Sequence, residues 1–231
     1  MKTSLFFLFV ATGLGVAIRA SAQEGPTGAA AGTPKARVGF QMALRTGYSV
    51  PMGHATGAAG GEMSNAYSGQ VPIFVEIGGK PIPNLFIGGY LGLGFGGAAG
   101  GFDTFCSTFN ATCVAVDARF GAEIQYHMLP DQMANPWIGY GIGFESAGLG
   151  ISVNGHSYNS TQTGFEFAHF MGGVDFRLSR AFGLGPFFGL SFGQYSRYHI
   201  EFPGLDTQEG DIAQTGTHEW LSVGVRGVFF P

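Results

Sequence analysis

The chain reads as an all-β protein, an eight-stranded antiparallel transmembrane β-barrel with long loops at one end and short turns at the other. Three observations predict this. Eight segments alternate apolar and polar residues with a period of two, the links between them are long and short by turns, and no apolar run long enough for a membrane helix follows the N-terminal segment.

The alternation is clearest around Phe120. Val114, Val116, Ala118, Phe120, Ala122, Ile124 and Tyr126 fall in one phase, and Ala115, Asp117, Arg119, Gly121, Glu123, Gln125 and His127 in the other. Period two is the signature of a strand whose side chains point to opposite faces. With a rise of roughly 3.3 Å per residue and a tilt near 40°, about 10 residues cover the roughly 25 Å apolar band of a bacterial outer membrane. A charge-free phase repeated on eight such segments predicts a barrel with its apolar side toward lipid.

The elements follow in order. Residues 1–22 carry Lys2, an apolar stretch from Leu5 to Ile18, and Ala20-Ser21-Ala22 before Gln23, the three parts of a secretory signal peptide. Residues 23–36 are rich in Gly, Ala and Pro and are expected to form a flexible periplasmic lead-in. The barrel domain is expected over residues 37–231. Its outward phase runs through Val38, Phe40, Met42 and Leu44; Val71, Ile73, Val75 and Ile77; then Leu85, Ile87, Leu91, Leu93 and Phe95. After the strand around Phe120 it continues through Ile138, Tyr140, Ile142 and Phe144; Phe170, Val174, Phe176 and Leu178; Phe188, Leu190 and Phe192; and Leu221, Val223, Val225 and Phe229.

The links supply an independent test. Residues 49–70, 97–112, 147–163 and 199–215 are long and polar or Gly-rich, whereas 78–84, 129–136 and 179–185 are short. Long extracellular loops, short periplasmic turns and an even strand count are the rule for bacterial single-chain barrels. The reading places the protein in the cell outer membrane, with both termini in the periplasm.

On these strands, on the turn-to-strand stretch from Pro83 to Tyr90, and on the C-terminal strand from Trp220 to Phe230, the chain resembles small bacterial outer-membrane β-barrel proteins. That group includes the OmpA transmembrane domain and the OmpW-like proteins. The resemblance implies contact with membrane lipid and lipopolysaccharide, and delivery by the barrel-assembly machinery, which reads an aromatic residue at the end of the last strand. Pro231 follows here, so the aromatic in register is Phe229. A monomer is expected.

Removing Lys2 and Arg19 with the signal takes the formal charge from −4 to −6, which disfavours nucleic acid as a partner. Cys106 and Cys113 lie close together in a Ser/Thr/Asn stretch of an exported chain, and a disulfide is expected, two free thiols being the alternative. So short a ring contributes about 2.5 kcal/mol, enough to pin a loop.

The inward phase carries Arg37, Gln41, Arg45, Glu76, Asp117, Arg119, Glu123, Gln125, Glu145, Asp175, Arg177 and Arg226. Eight strands leave a bore just wide enough for side chains to fill, so Arg45, Glu76, Asp117, Arg119, Glu123, Asp175, Arg177 and Arg226 are expected to form an ion-pair network across the lumen. A narrow or gated solute path is the alternative. Inward Gly92, Gly94, Gly121, Gly141 and Gly143 would make room for larger side chains.

Other patterns are weaker. Gly189-Leu190-Ser191-Phe192-Gly193 has the letters of a nucleophile elbow but continues an alternating strand with no helix after it. Gly92 to Gly97 fits G-x-G-x-x-G, with a loop expected where a dinucleotide site needs a helix. The six histidines show no metal-ligand spacing, and each is expected to be exposed or part of the network. Glu201, Asp206, Glu209 and Asp211 share the last loop with no base among them and are expected to be solvated. No catalytic residue, cofactor or metal is expected. Three classes of function remain: a structural or surface-interaction barrel with a closed polar lumen, a narrow pore or transporter for small solutes, and a lipid-modifying enzyme.

Overall fold

The computed structural model describes residues 38–153, 156–201, 204 and 206–230. The expected signal peptide, the lead-in, Arg37 and Pro231 lie outside the described residues. Eight strands close into a ring: β1 (Gly39–Gly53), β2 (Tyr67–Ile82), β3 (Leu85–Ala98), β4 (Thr112–His127), β5 (Ala134–Val153), β6 (His156–Arg177), β7 (Phe182–Glu201) and, after a short outlying β8 (Gln208–Asp211), β9 (His218–Phe229). Each ring strand pairs antiparallel with the next, and β9 pairs with both β7 and β1 to shut the barrel.

The outward phase is where the alternation places it. Val38, Phe40, Leu44, Leu91, Phe120, Ile138, Phe170 and Val223 are all at least half exposed, and cross-strand rings such as Phe120 and Phe144, 5.6 Å apart, pair on the outside. Large apolar side chains standing free around the whole wall suit hydrocarbon and not water, because an aqueous barrel would have to hide them. No helix among the described residues is long and apolar enough to cross a membrane; the strands cross.

Bulges on β2, β6 and β7 adjust the alternation. On β6 the pairing with β7 slips between Glu166 and Ala168, and against β5 it slips near Gly141 and Gly143. One extra residue reverses parity, so Glu166 and His169, three apart, both face the lumen while Phe167 and Phe170 both face out. On β7 a slip between Tyr195 and Arg197 resets the phase above the membrane.

The long links differ from expectation in three places. Residues 147–163 are mostly strand, since β5 and β6 continue as a paired hairpin with Gly148 opposite Thr161 and Ile151 opposite Tyr158. Above the bilayer the outward face meets water, so the apolar half of the alternation disappears although the strand does not. The 97–112 link contains a helix, α1 (Gly100–Thr108), so a helix does follow the G-x-G-x-x-G stretch. Its Gly-rich start conceals it, but Phe105 and Phe109 pack one turn apart at 4.7 Å, and Asn110 ends it in the left-handed region at φ 52°. Cys106 is bonded to Cys113 at the head of β4, with Cα atoms 6.2 Å apart, which ties α1 to the wall. The last link holds β8, paired with the top of β7.

Protease added to intact cells should cut at exposed Gly60 and Asp206 and spare Lys80, which is buried near the short β2–β3 turn. Tyr158, exposed if its link were a loop, is held in the hairpin and should resist. Mass spectrometry of the released fragments checks this, and cleavage at Lys80 would invert the topology.

Candidate functional site

The lumen is filled in layers. Nearest the periplasm, Trp137, Met171 and Phe187 cluster, and the His127 ring bonds Asn135 at 2.9 Å. Lys80 Nζ lies 5.7 Å from the Phe230 ring and Arg177 Cζ 5.9 Å from the same ring, at the periplasmic mouth. Arg177 also donates to the Pro130 carbonyl at 2.8 Å, at the β4–β5 turn.

Above lies the lower ionic layer. Arg226 donates through Nη2 to Glu76 at 2.9 Å and to Gln125 at 2.8 Å, and through Nη1 to Asp175 at 2.5 Å, with its guanidinium 4.4 Å from the Trp137 ring centre. Arg45 pairs with Glu76 and stands 3.9 Å from Glu123, whose other oxygen accepts from Gln125 at 3.1 Å. Arg45, Glu76, Gln125 and Arg226 are 0% exposed, so at this level solvent does not reach the side chains.

An aromatic layer comes next. Phe74, Tyr90 and His169 meet with centroids 5.6–6.3 Å apart, the Arg45 guanidinium covers Phe74 at 4.8 Å, and the Tyr90 hydroxyl donates to Glu166. Glycine makes this layer possible. A Cβ at Gly121 or Gly143 would sit 2.7 or 2.5 Å from the Tyr90 hydroxyl, and one at Gly92 would sit 2.3 Å from the Phe74 ring.

The upper ionic layer is built on Arg119. Its Nε donates to Asp117 at 2.7 Å and its Nη1 to Ser191 at 3.0 Å, while Glu145 and Glu166 lie at 3.7 and 3.5 Å. Gln70 donates to Asp117 at 3.0 Å, and Glu145 accepts from Tyr195 at 2.5 Å and Trp220 at 3.0 Å, with His218 at 3.2 Å. An apolar cap of Met63, Tyr67, Leu149, Tyr195 and Trp220 closes the extracellular side.

The structure thus brings Arg45, Glu76, Glu123, Asp175 and Arg226 into one layer and Asp117 with Arg119 into another. Sequence reading missed Gln70, Glu166, Tyr195 and Trp220. Trp220 shares its parity with Arg226, and Tyr195 with Ser191, so phase alone carried the signal for both; Glu166 was hidden by the β6 bulge. Ser191 lies inside β7, bonded to Arg119, in no sharp turn. Asp211 and Glu209 face bases across β7, Arg197 at 3.9 Å and His199 at 3.6 Å, so this loop is less one-sided than its own sequence suggests. Beyond the bilayer, the bond from Asn159 at 3.3 Å, with His199, holds the Glu201 carboxyl below its usual range.

No protein-family model matches the chain, and no curated protein does. Among solved structures, it is similar to a major outer membrane protein from Thermus thermophilus, at 11% identity over 84% of this chain and 100% of that one, with a TM-score of 0.51. It is also similar to the outer membrane protein OprG from Pseudomonas aeruginosa, at 9% identity over 86% of this chain and 99% of that one, with a TM-score of 0.51. At such identities the likeness carries the fold, and the fold is that of a small eight-stranded outer-membrane β-barrel.

Proposed function

We propose that the protein is a non-enzymatic surface barrel, a rigid wall with a closed polar lumen that holds its extracellular segments out for interaction. The observation that carries this reading is the pair of fully buried ionic layers separated by the Phe74–Tyr90–His169 layer. Arg45 and Arg226 are shared among carboxylates on other strands, and Arg119 bonds Asp117 on its own strand with Glu145 and Glu166 of two others nearby, so opening a path for solute requires several charge-assisted bonds to break together. The lipid-facing wall is taken to be solvated by phospholipid and lipopolysaccharide, with β9 and its outward Phe229 as the segment offered to the assembly machinery. The barrel is taken to act as a monomer.

Purified barrel in planar bilayers should show little or no steady conductance, and Arg119→Ala should introduce flickering currents by freeing Asp117 and Ser191. Steady wild-type conductance whose selectivity changes on Arg119 or Glu123 substitution would replace this reading with the narrow-pore one.

A further inference from the structure

The strand extensions above the membrane border an open cleft of about 640 Å³. It owes its lining to the β7 bulge. Tyr195 is opposite Gly164 but Arg197 is opposite Thr163, so the extra residue turns Tyr198 and Ile200 to the side of their partners Gln162 and Ser160. Residues 211–214 form the next wall. The loop after β1 bounds the cleft, fixed by the bridge between Thr56 and Thr215 and by the Gly57 N–H donating to the Gln214 carbonyl at 2.7 Å.

Tyr198 is the floor. It stands opposite Gly210, where a Cβ would come within 3.0 Å of its hydroxyl and 3.2 Å of its ring, so the ring lies against the β8 backbone with its other side half-buried in the cleft. Around it are Ser160, Gln162 and Gln214, with Ile200 and Ile212 between them, and Asp211 at the edge, opposite Arg197 and with its carboxylate turned to that side. Gln162 Oε1 is itself buried, with no hydrogen-bond partner among the described residues. Among the described residues, no lysine or arginine lines the cleft.

We propose that this cleft binds an uncharged oligosaccharide. A pyranose presents hydroxyls around its rim and C–H groups on its faces, which amides and a hydroxyl beside a half-buried aromatic ring complement. Arg197, the cation beside this lining, faces Asp211 at 3.9 Å on the other side of the strand pair, so the Tyr198 side offers no cation to a phosphate or sulfate. The anchored walls lower the ordering cost of binding. The inference rests on the reading that the protein works through its extracellular segments.

The test uses the full mature barrel in nanodiscs with maltotriose and chitotriose as probes, followed by saturation-transfer NMR. At least one probe should bind, and Tyr198→Ala and Gln162→Ala should each weaken it tenfold or more, while circular dichroism of the barrel stays unchanged. Competition by lipopolysaccharide added to the nanodisc would identify the membrane's own sugars as the source; undiminished binding would point to sugars from outside, and either result supports the site. Failure of a wider panel of neutral oligosaccharides to bind the folded wild type, or equal binding by Tyr198→Ala, would overturn it. Planar-bilayer recordings on the same preparation keep the two readings apart, since a silent barrel that binds no sugar sinks the cleft proposal alone.

Discussion

Arg226→Ala should destabilise the barrel by about 3 to 5 kcal/mol, the usual result of removing one partner from a buried charge network. Arg226 is 0% exposed and bonds Glu76, Gln125 and Asp175 at once. Glu76 keeps Arg45 when Arg226 is removed. Asp175 would lose the guanidinium that bonds it at 2.5 Å in the closed bore. Arg226→Met combined with Asp175→Leu should therefore recover most of the loss, because it deletes both charges at roughly constant volume. Denaturant unfolding from lipid vesicles, run as a double-mutant cycle, measures the coupling. A double variant no more stable than Arg226→Met alone would show that Arg226 acts by packing on Trp137 and not through its charge.

The barrel was legible because a membrane forces every transmembrane strand to present an uncharged face, which makes period two visible from Val38 to Phe229. That signal ends with the lipid. From Gly148 to Thr163 the same strands continue, but both faces meet water or protein, and Gly, Ser and Thr leave no pattern to read. Within the bilayer the phase located Arg45, Glu76, Asp117 and Arg119, while bulges defeated it for Glu166, whose parity changes before His169. Inward aromatics were obscured differently. Tyr90 lies in phase with Gly92 and Gly94, and only the cross-strand glycines Gly121 and Gly143 reveal that its ring crosses the bore. The cleft above the membrane depends on a one-residue slip at Tyr195 and on loop hydrogen bonds, neither of which leaves a mark in composition or spacing.

Leu91→Arg should cost about 2 to 4 kcal/mol, because it sets a guanidinium against the hydrocarbon midplane, whereas Ile82→Arg should cost about 0 to 1 kcal/mol. Both native side chains are exposed and apolar, Leu91 at 55% and Ile82 at 53%, so the two substitutions differ chiefly in depth. Leu91 stands between Val75 on β2 and Phe120 on β4, all lipid-facing, with no polar group within the face to receive a charge. Ile82 ends β2 at the periplasmic turn, where an arginine side chain reaches the headgroups. Reversible unfolding from vesicles of one lipid composition compares them directly. Equal penalties would mean that the apolar band is not centred on Leu91, and a milder effect at Leu91 would mean that this face does not meet lipid at all.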